Sequence, residues 1–583
     1  MQLFLSELYI QNYRNLDGVH IKFHPDITFI VGENNLGKSN VLSLINTIFN
    51  YQSFKSEDFH DKDKEINILL SLLLNDYEKG MFGDLFDPEN SNRINIIVSQ
   101  ESPDEFINFT HKETGINLSN NTIKKILHIH YDSLRNPSNE LSFEKGKGSG
   151  KFLRFLIKKY LNTNKTNDLD FIDKAKLQQL MEYINKIFRK LKSFNDFKIN
   201  ASIDDEVENL LSRVLVLADN EKLEITSSGY GVQYSIIIAL AILERLSNLN
   251  KNKLEKILYE DNKNKKLIPL IFSLDEPEIH LHPYMQRSLI KNIYEIIRNK
   301  DTDFTALLKE LFNIDGIVGQ SIIVTHSPNI LLNDYKQIVR FYKNYENKLV
   351  VKNGVDIDLP KNIEKHLLMN MQYIKETFFS KCVIIVEGES EFGCMDIFAT
   401  KLGVDLDDAG ISILKANGAE SISPLMNLFK EFGIKCVGVI DKDKYLEKEK
   451  ILKKIDNLLH TDCRDFEDEI VSKCFDNDSI TILEKIVKEY DSLELERSIQ
   501  SNKLKKTAEK YGLELRVELN GDCRFSEVSD HQILRIMYLA WLDINKSIVL
   551  GREIGRLLTL DLIPEVYKKA IMRAKEMLRN DSR

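Results

Sequence analysis

Cysteine is scarce in this chain, with six among 583 residues: Cys382, Cys394, Cys436, Cys463, Cys474 and Cys523. None forms a C-x-x-C pair, which excludes a disulfide framework or a zinc ribbon and matches the usage of a reducing compartment; all six read as packing thiols. Eleven prolines and 25 glycines are too few for a collagen-like or low-complexity chain. No long hydrophobic run occurs: the longest, residues 236–243, is far shorter than the roughly 20 residues that cross a bilayer. Met1 leads into a strand-like segment rather than a signal peptide, so the expected location is cytoplasmic, with no membrane partner. Positive charge is not in excess either. With 80 Lys and Arg against 89 Asp and Glu the net charge is −9, and the chain as a whole does not advertise a nucleic-acid partner. The exception is local: residues 151–200 hold twelve Lys and Arg against five acids, which on charge alone reads as a solvated helix face.

What is present is 43% hydrophobic and 29% charged residues, enough for several packed cores at roughly 150 residues each. Residues 3–10, 19–23 and 27–31 read as short strands. The third ends at Gly32-Glu33-Asn34-Asn35-Leu36-Gly37-Lys38-Ser39, followed by Val41, Leu42, Leu44, Ile45 and Ile48 at helical spacing. This is the strand, glycine loop and helix of a G-x-x-x-x-G-K-[ST] phosphate site. Gly32, Asn35, Gly37, Lys38, Ser39 and Asn40 are the expected nucleotide-binding residues: loop N–H groups and the positive helix end surround the phosphates, Lys38 reaches the β and γ oxygens, and Ser39 coordinates Mg²⁺. An apolar strand at 267–274 delivers Asp275-Glu276-Pro277-Glu278. Asp275 is expected to share the magnesium with Ser39, and Glu276 to orient or deprotonate the attacking water. A third strand, 321–324, ends at Thr325-His326-Ser327-Pro328 and places His326 towards the γ-phosphate.

This order of motifs, together with Asn12-Tyr13-Arg14-Asn15-Leu16 and Ile279-His280-Leu281-His282-Pro283, resembles the ATP-binding-cassette heads of the RecF, Rad50 and SMC type. The resemblance implies a serine-glycine signature that completes the ATP site of an opposite subunit. Its nearest match is Ser227-Ser228-Gly229-Tyr230-Gly231-Val232-Gln233, with Ser228 and Gly229 at its centre, which departs from the usual LSGGQ form. The glutamine loop has two candidates, Gln52 and the run Ser56-Glu57-Asp58-Phe59-His60.

Beyond a linker rich in Asn, Lys and Asp at 343–360, a second α/β pattern begins. Val383-Ile384-Ile385-Val386 ends at Glu387-Gly388-Glu389-Ser390-Glu391, and Val437-Gly438-Val439-Ile440 ends at Asp441-Lys442-Asp443. If the two strands are parallel neighbours, Glu387, Glu391, Asp441 and Asp443 meet at one sheet edge. Carboxylates about 4 Å apart repel by roughly 4 kcal/mol per pair at an effective dielectric of 20, so the cluster calls for cations. Oxygen-only ligands favour Mg²⁺, Mn²⁺ or Ca²⁺ over zinc.

These two strand ends resemble the Toprim fold of topoisomerases, primases and certain nucleases. A cassette head followed by a Toprim domain is the organisation of the OLD (overcoming lysogenization defect) family of nucleases, and the resemblance covers nearly the whole chain. It implies an α/β fold in five parts: 1–150, the first part of the ATPase head; 151–222, a helical insertion for dimerisation; 223–345, the rest of the head; 346–375, a linker; and 376–583, a Toprim domain with a helical C-terminal part. Asn417-Gly418 fits the family's tight turn. Glu467, in Asp465-Phe466-Glu467-Asp468-Glu469-Ile470, is similar to the family's later acidic ligand, and Lys546, in Asn545-Lys546-Ser547, to its downstream lysine, with Arg552 as a competitor for that role.

The activity so implied is an ATP-regulated endonuclease. Glu387, Glu391, Asp441, Asp443 and Glu467 would hold two divalent ions for hydrolysis of a DNA phosphodiester, and Lys546 would neutralise charge on the phosphorane. A third ion would sit with ATP. The implied partners are double-stranded DNA, a homodimer or homotetramer assembled through the insertion, and a defence companion such as the helicase of Gabija or a retron reverse transcriptase with its DNA. The basic stretch from Lys151 to Lys198 would contact DNA or a partner. The competing functions are a topoisomerase or primase, and an ATP-gated DNA clamp or sensor with a silent Toprim domain. A Toprim topoisomerase needs a tyrosine nucleophile, and none of the 21 tyrosines is recognisable as one.

Overall fold

The computed structural model describes residues 3–51, 53–83, 85–132, parts of 152–191, 200–202, 216–218, 230–249, 251–279, 281–359, 371, 373–492, 495–514 and 521–579. Two compact units divide the chain: Met1–Tyr342 with Leu349–Asp356, and Lys343–Lys348 with Ile357–Arg583. None of the described helices is long and apolar enough to cross a membrane.

The first unit holds two large sheets and a two-stranded one, Asn200–Ser202 with Val216–Ala218. Phe4–Gln11 pairs antiparallel with Val19–Lys22 and Ile66–Leu73, and that sheet continues through Arg93–Gln100, Asn108–His111 and Asn117–Leu118. The second sheet has a parallel centre made of β1 (Ile27–Gly32), β2 (Leu127–Tyr131), β3 (Lys266–Asp275), β4 (Gly316–Val324) and β5 (Ile338–Lys343). β3 lies between β2 and β4, β4 pairs with β1, and β1 with β5. Every residue of β1 and β4 is buried, the continuous apolar run that a parallel strand covered on both faces requires. The helix α1 (Lys38–Asn50) follows β1 directly and buries Val41, Leu42, Leu44, Ile45, Ile48 and Phe49, so its start is held at the end of the strand.

In the second unit four parallel strands lie in the order β7 (Ile411–Lys415), β6 (Cys382–Val386), β8 (Lys435–Ile440) and β9 (Leu458–His460). The helices that matter for the site are α2 (Glu389–Lys401), α3 (Phe466–Asp476), α4 (Ser501–Tyr511), α5 (His531–Ile544) and α6 (Ile548–Leu557). α2 and α6 meet backbone to backbone. A Cβ on Gly393 would stand 2.3 Å from Ile548 O, and one on Gly551 2.1 Å from Ser390 O. Glycine is required there because another backbone fills the side-chain position. The contact fixes the first turn of α2 beside the Asn545–Ser547 turn that precedes α6.

One expectation is altered, and others fall outside the described residues. The linker does not start at 343 or 346: Leu349–Asn353 is a strand on the edge of the ATPase sheet, followed by a 3-10 turn at Gly354–Asp356. An Asn344–Lys348 turn lets the chain double back, with Asn344 Oδ1 accepting from Glu346 N and Lys348 N. Ser228 and Gly229, and Gln52, lie outside the described residues. So does much of the insertion at 151–222, in which Lys174–Phe188 is helical.

The α2–α6 contact yields a stability prediction. Gly551→Ala is expected to destabilise the chain by about 1–3 kcal/mol through overpacking, read as a lower thermal midpoint. Gly521→Ala, where an added Cβ meets nothing within 4 Å, is expected to leave the midpoint in place.

Candidate nucleotide and carboxylate sites

The glycine loop closes tightly between β1 and α1. Gly32, Asn35 and Gly37 take φ of 135°, 61° and 88°. A Cβ on Gly32 would meet Phe341 O at 2.0 Å, and one on Gly37 would meet the Asn15 side chain at 2.3 Å. The opening motif therefore braces the loop. Asn40 Nδ2 donates to Asn15 Oδ1 at 2.7 Å, Arg14 donates to Asn40 Oδ1 at 2.7 Å, and Arg14 is paired with Asp58 at 2.8 Å. Lys38 is buried and donates to Gly32 O and Glu33 O at 2.9 and 2.6 Å. Burial lowers its pKa to about 8 against the opposing pull of Glu276, Asp275 and Glu33.

Parallel pairing brings the ends of β3 and β4 beside this loop. Ser39 Oγ donates to Asp275 Oδ1 at 3.0 Å. Burial raises the Asp275 carboxyl to about 6, with Glu276 and Asp132 adding to the rise and the Ser39 hydrogen bond and Lys38 opposing it. Glu276 has a φ of 46°, and its Oε1 lies 3.3 Å from His326 Nε2. Glu278 Oε1 accepts from Thr325 Oγ1 and His326 N at 2.8 and 2.7 Å, which ties the two strand ends together. A buried ammonium, loop N–H groups, and a hydroxyl beside a carboxylate are the donor set that triphosphate with magnesium needs, and these residues fit it. Asp132, at the end of the neighbouring β2, escapes the sequence pattern because His128 and His130 interrupt the apolar run that marks the strand before Asp275.

The carboxylates of the second unit also converge. Glu387 and Asp441 end the paired strands β6 and β8, and Asp441 N donates to Glu387 Oε2 at 3.3 Å. Glu391, in the first turn of α2, accepts from Gly388 N at 2.6 Å. Glu467, in the first turn of α3, is paired with Lys546 Nζ at 2.8 Å. Burial raises all four carboxyls above the usual range. Glu467 and Glu387 push Glu391 higher, and Glu391 and Glu387 push Asp441 furthest. Glu391 Oε1 and Asp441 Oδ1 are buried with no hydrogen-bond partner. Unsatisfied carboxylate oxygens in an oxygen-only cluster fit a hard divalent cation.

Asp443 stands at the rim, paired with Arg464 at 3.3 Å, and adds to the rise of Glu387. Lys546, rather than Arg552, faces the cluster: Arg552 is paired with Asp396 at 3.3 Å on an exposed surface. Among the described residues no group of three or more His, Cys, Asp or Glu is disposed to hold one ion. Glu391, Glu467 and Asp443 are engaged by the Gly388 amide, Lys546 and Arg464 respectively. Asn417 and Gly418 form the expected turn, with φ of 56° and 121°; it follows β7 and leads into the helix Ala419–Glu431. Asp465, Lys510, Tyr511 and Asp543 were also missed. Tyr511 Oη donates to both oxygens of Asp465 at 3.1 and 2.9 Å. Asp465 stood in the same acidic run as Glu467, whereas Lys510 and Tyr511 on α4 and Asp543 on α5 have no motif to join them.

The geometry defines a class: a P-loop ATPase unit followed by a Toprim-type sheet with acids at its strand ends. Two family models agree with it, the AAA ATPase domain over residues 3–147 and 86–331, together more than half of the chain, and the TOPRIM domain of overcoming-lysogenization-defect-like proteins over residues 378–443. The chain belongs to the first family and carries the OLD-like Toprim domain of the second. It is related to Endonuclease GajA of Bacillus cereus (strain HuB5-5), with 25% identity over 67% of this chain and 66% of that protein. It is also related to Old nuclease of Escherichia phage P2, with 25% identity over 53% of this chain and 48% of that protein. The chain thus spans just under two thirds of the one and about half of the other. Among solved structures, an SMC head bound to the C-terminal winged-helix domain of ScpA is similar at 16% identity and a TM-score of 0.35, covering 61% of this chain and all of that one.

A pH dependence follows. Carboxyls with raised pKa bind protons more tightly in the folded than in the unfolded chain, so their stabilising contribution is complete below the ordinary carboxylate range near pH 4 and is lost as pH rises through the raised values. In chelator at pH 8, Asp441→Asn is therefore expected to raise stability by about 1–2 kcal/mol, with the gain shrinking towards pH 4. Thermal midpoints of both chains across that range check it.

Proposed function

We propose that this chain is an ATP-regulated, divalent-metal-dependent endonuclease that hydrolyses phosphodiester bonds of double-stranded DNA in bacterial anti-phage defence. The observation that carries the reading is the convergence of Glu387, Glu391, Asp441 and Glu467, two of them with orphaned buried oxygens, beside Lys546. The OLD-like Toprim match and the names of GajA and Old nuclease support it.

Glu387, Glu391, Asp441 and Glu467, with Asp443 at the rim, would hold the metal, two ions by the family pattern. Bound there, divalent cations supply a nucleophile at neutral pH and stabilise the leaving oxygen. Lys546 keeps a full positive charge beside Glu467, where it neutralises charge that develops on the phosphorane. In the first unit Gly32, Asn35, Gly37, Lys38 and Asn40 build the nucleotide cradle, and Ser39 and Asp275 hold its magnesium. Glu276, beside His326, orients the water facing the γ-phosphate. Ser228 and Gly229 are assigned to the ATP site of a second subunit in a homodimer or homotetramer. ATP occupancy would then set the geometry of paired heads, and with it DNA access. The reducing-compartment cysteine usage supports a cytoplasmic setting. The other reading is an ATP-gated clamp or sensor with a silent Toprim domain.

Asp441→Asn separates the two. Cleavage of duplex DNA with Mg²⁺ or Mn²⁺ is expected to fall by about 100-fold or more, with DNA and ATP binding retained; cleavage equal to wild type would remove the nuclease assignment. Lys38→Ala is expected to weaken ATP binding by about 10- to 100-fold, the loss of charge-assisted contacts of roughly 1.5–3 kcal/mol. Any response of cleavage to ATP should vanish with it, and an intact response would exclude the regulatory role.

A further inference from the structure

One carboxylate of the second unit is shared by three ammonium groups. Asp543, in the last turn of α5, lies 2.6 Å from Lys503 Nζ, 3.3 Å from Lys510 Nζ and 3.8 Å from Lys546 Nζ. Lys503 and Lys510 stand seven residues apart on α4, about two turns and so on one face. Leu504, Thr507 and Ala508 of that helix are buried, while Lys505 and Lys506 are exposed to solvent. Two of the three lysines also reach the carboxylate site: Lys546 through Glu467 at 2.8 Å, and Lys510 through Asp465 at 3.0 Å. Lys503 extends the row away from it.

Three ammonium groups offer nine donors. Asp543, Asp465, Glu467 and the Tyr511 hydroxyl take some of them, and the Lys503 ammonium has Asp543 as its one partner among the described residues. The lysine side chains are 34%, 33% and 44% exposed, so their remaining donors can be reached by an anion from solvent. A purely structural role would be to tie α4 to α5, and Asp543 with Lys503 alone would do that. Three partly exposed cations gathered on one carboxylate, next to the acids that would carry out hydrolysis, are more than a helix tie needs and suit a phosphate anion.

We propose that Lys503 and Lys510 form a seat for a DNA backbone phosphate flanking the bond to be cut, beside Lys546 at that bond, with Asp543 as the counter-ion that holds the ammonium groups together. The seat rests on the nuclease reading and deepens it, because phosphate contacts of this kind fix the register of the strand without reading its sequence.

The test compares two charge losses on one helix. Binding of the full-length chain to a fluorescent 20-base-pair duplex is measured by anisotropy in chelator, where no cleavage occurs, over a range of salt. Lys503→Ala is expected to weaken binding by about 3- to 10-fold and to lower the slope of log affinity against log salt by about one. Lys506→Ala should stay within twofold of wild type, and Lys503→Arg should restore binding. Equal effects of Lys503→Ala and Lys506→Ala would overturn the seat. So would a Lys503→Ala chain with a lower thermal midpoint but wild-type affinity, or a wild-type chain that does not bind the duplex. Cleavage by wild type with Mg²⁺ is scored separately: a chain that binds through Lys503 but never cuts keeps the seat and loses the nuclease reading.

Discussion

Mutual repulsion among carboxylates that the fold will not let apart is the constraint around which the second unit is organised. Glu387 and Asp441 are brought together by the pairing of β6 with β8, and Glu391 and Glu467 are added from the first turns of two helices. Left in water, these side chains would separate. Here backbone pairing and the glycine contact between α2 and α6 hold them, and burial removes the solvent that would screen them. Compensation is partial and comes from named groups: the Gly388 amide for Glu391, the Asp441 amide for Glu387, and Lys546 for Glu467. The uncompensated remainder, two buried oxygens, is where the proposed metal would bind, in keeping with the placement of strain at working sites.

The first unit applies the same principle with the opposite sign. Its buried charge is an ammonium, Lys38, which is served by two loop carbonyls and faces Asp275, Glu276 and Glu33. In both units the charged groups sit at the C-terminal ends of parallel strands, where adjacent strands deliver side chains from distant parts of the chain to one edge. A parallel sheet buried on both faces thus gives rigidity where the charges need it and leaves the loops to vary.

Local pattern made much of this legible. The run of β-branched residues before Gly32, and the apolar strands ending in Asp275, Glu387 and Asp441, identified their elements because a buried parallel strand is a continuous apolar stretch that periodicity alone detects. β4 proved longer than its last four residues suggested, since Gly316 and Gly319 blurred the pattern at its start. The strand at Leu349–Asn353 escaped because Leu349, Val350 and Val351 are a short apolar run, only partly buried, set inside a stretch whose Asn- and Lys-rich turn at 343–348 reads as linker. The network of Asp543, Lys503 and Lys510 was out of reach for a different reason. Its members lie on two helices whose crossing no sequence motif encodes, and only their packing makes neighbours of residues 503 and 543.

That edge strand carries a consequence for how the protein can be taken apart. Because the polypeptide leaves the ATPase unit after Tyr342, returns for Leu349–Asp356 and departs again, the two units are interlaced along the chain rather than joined end to end. A fragment stopped at Tyr342 would lose a strand whose Asn353 Oδ1 accepts from Lys22 N and whose following turn brings Asp356 to Lys22. Evolutionary shuffling or deliberate dissection at the Asn-rich turn would therefore injure the head it was meant to free, whereas severance past Asp356 respects the seam.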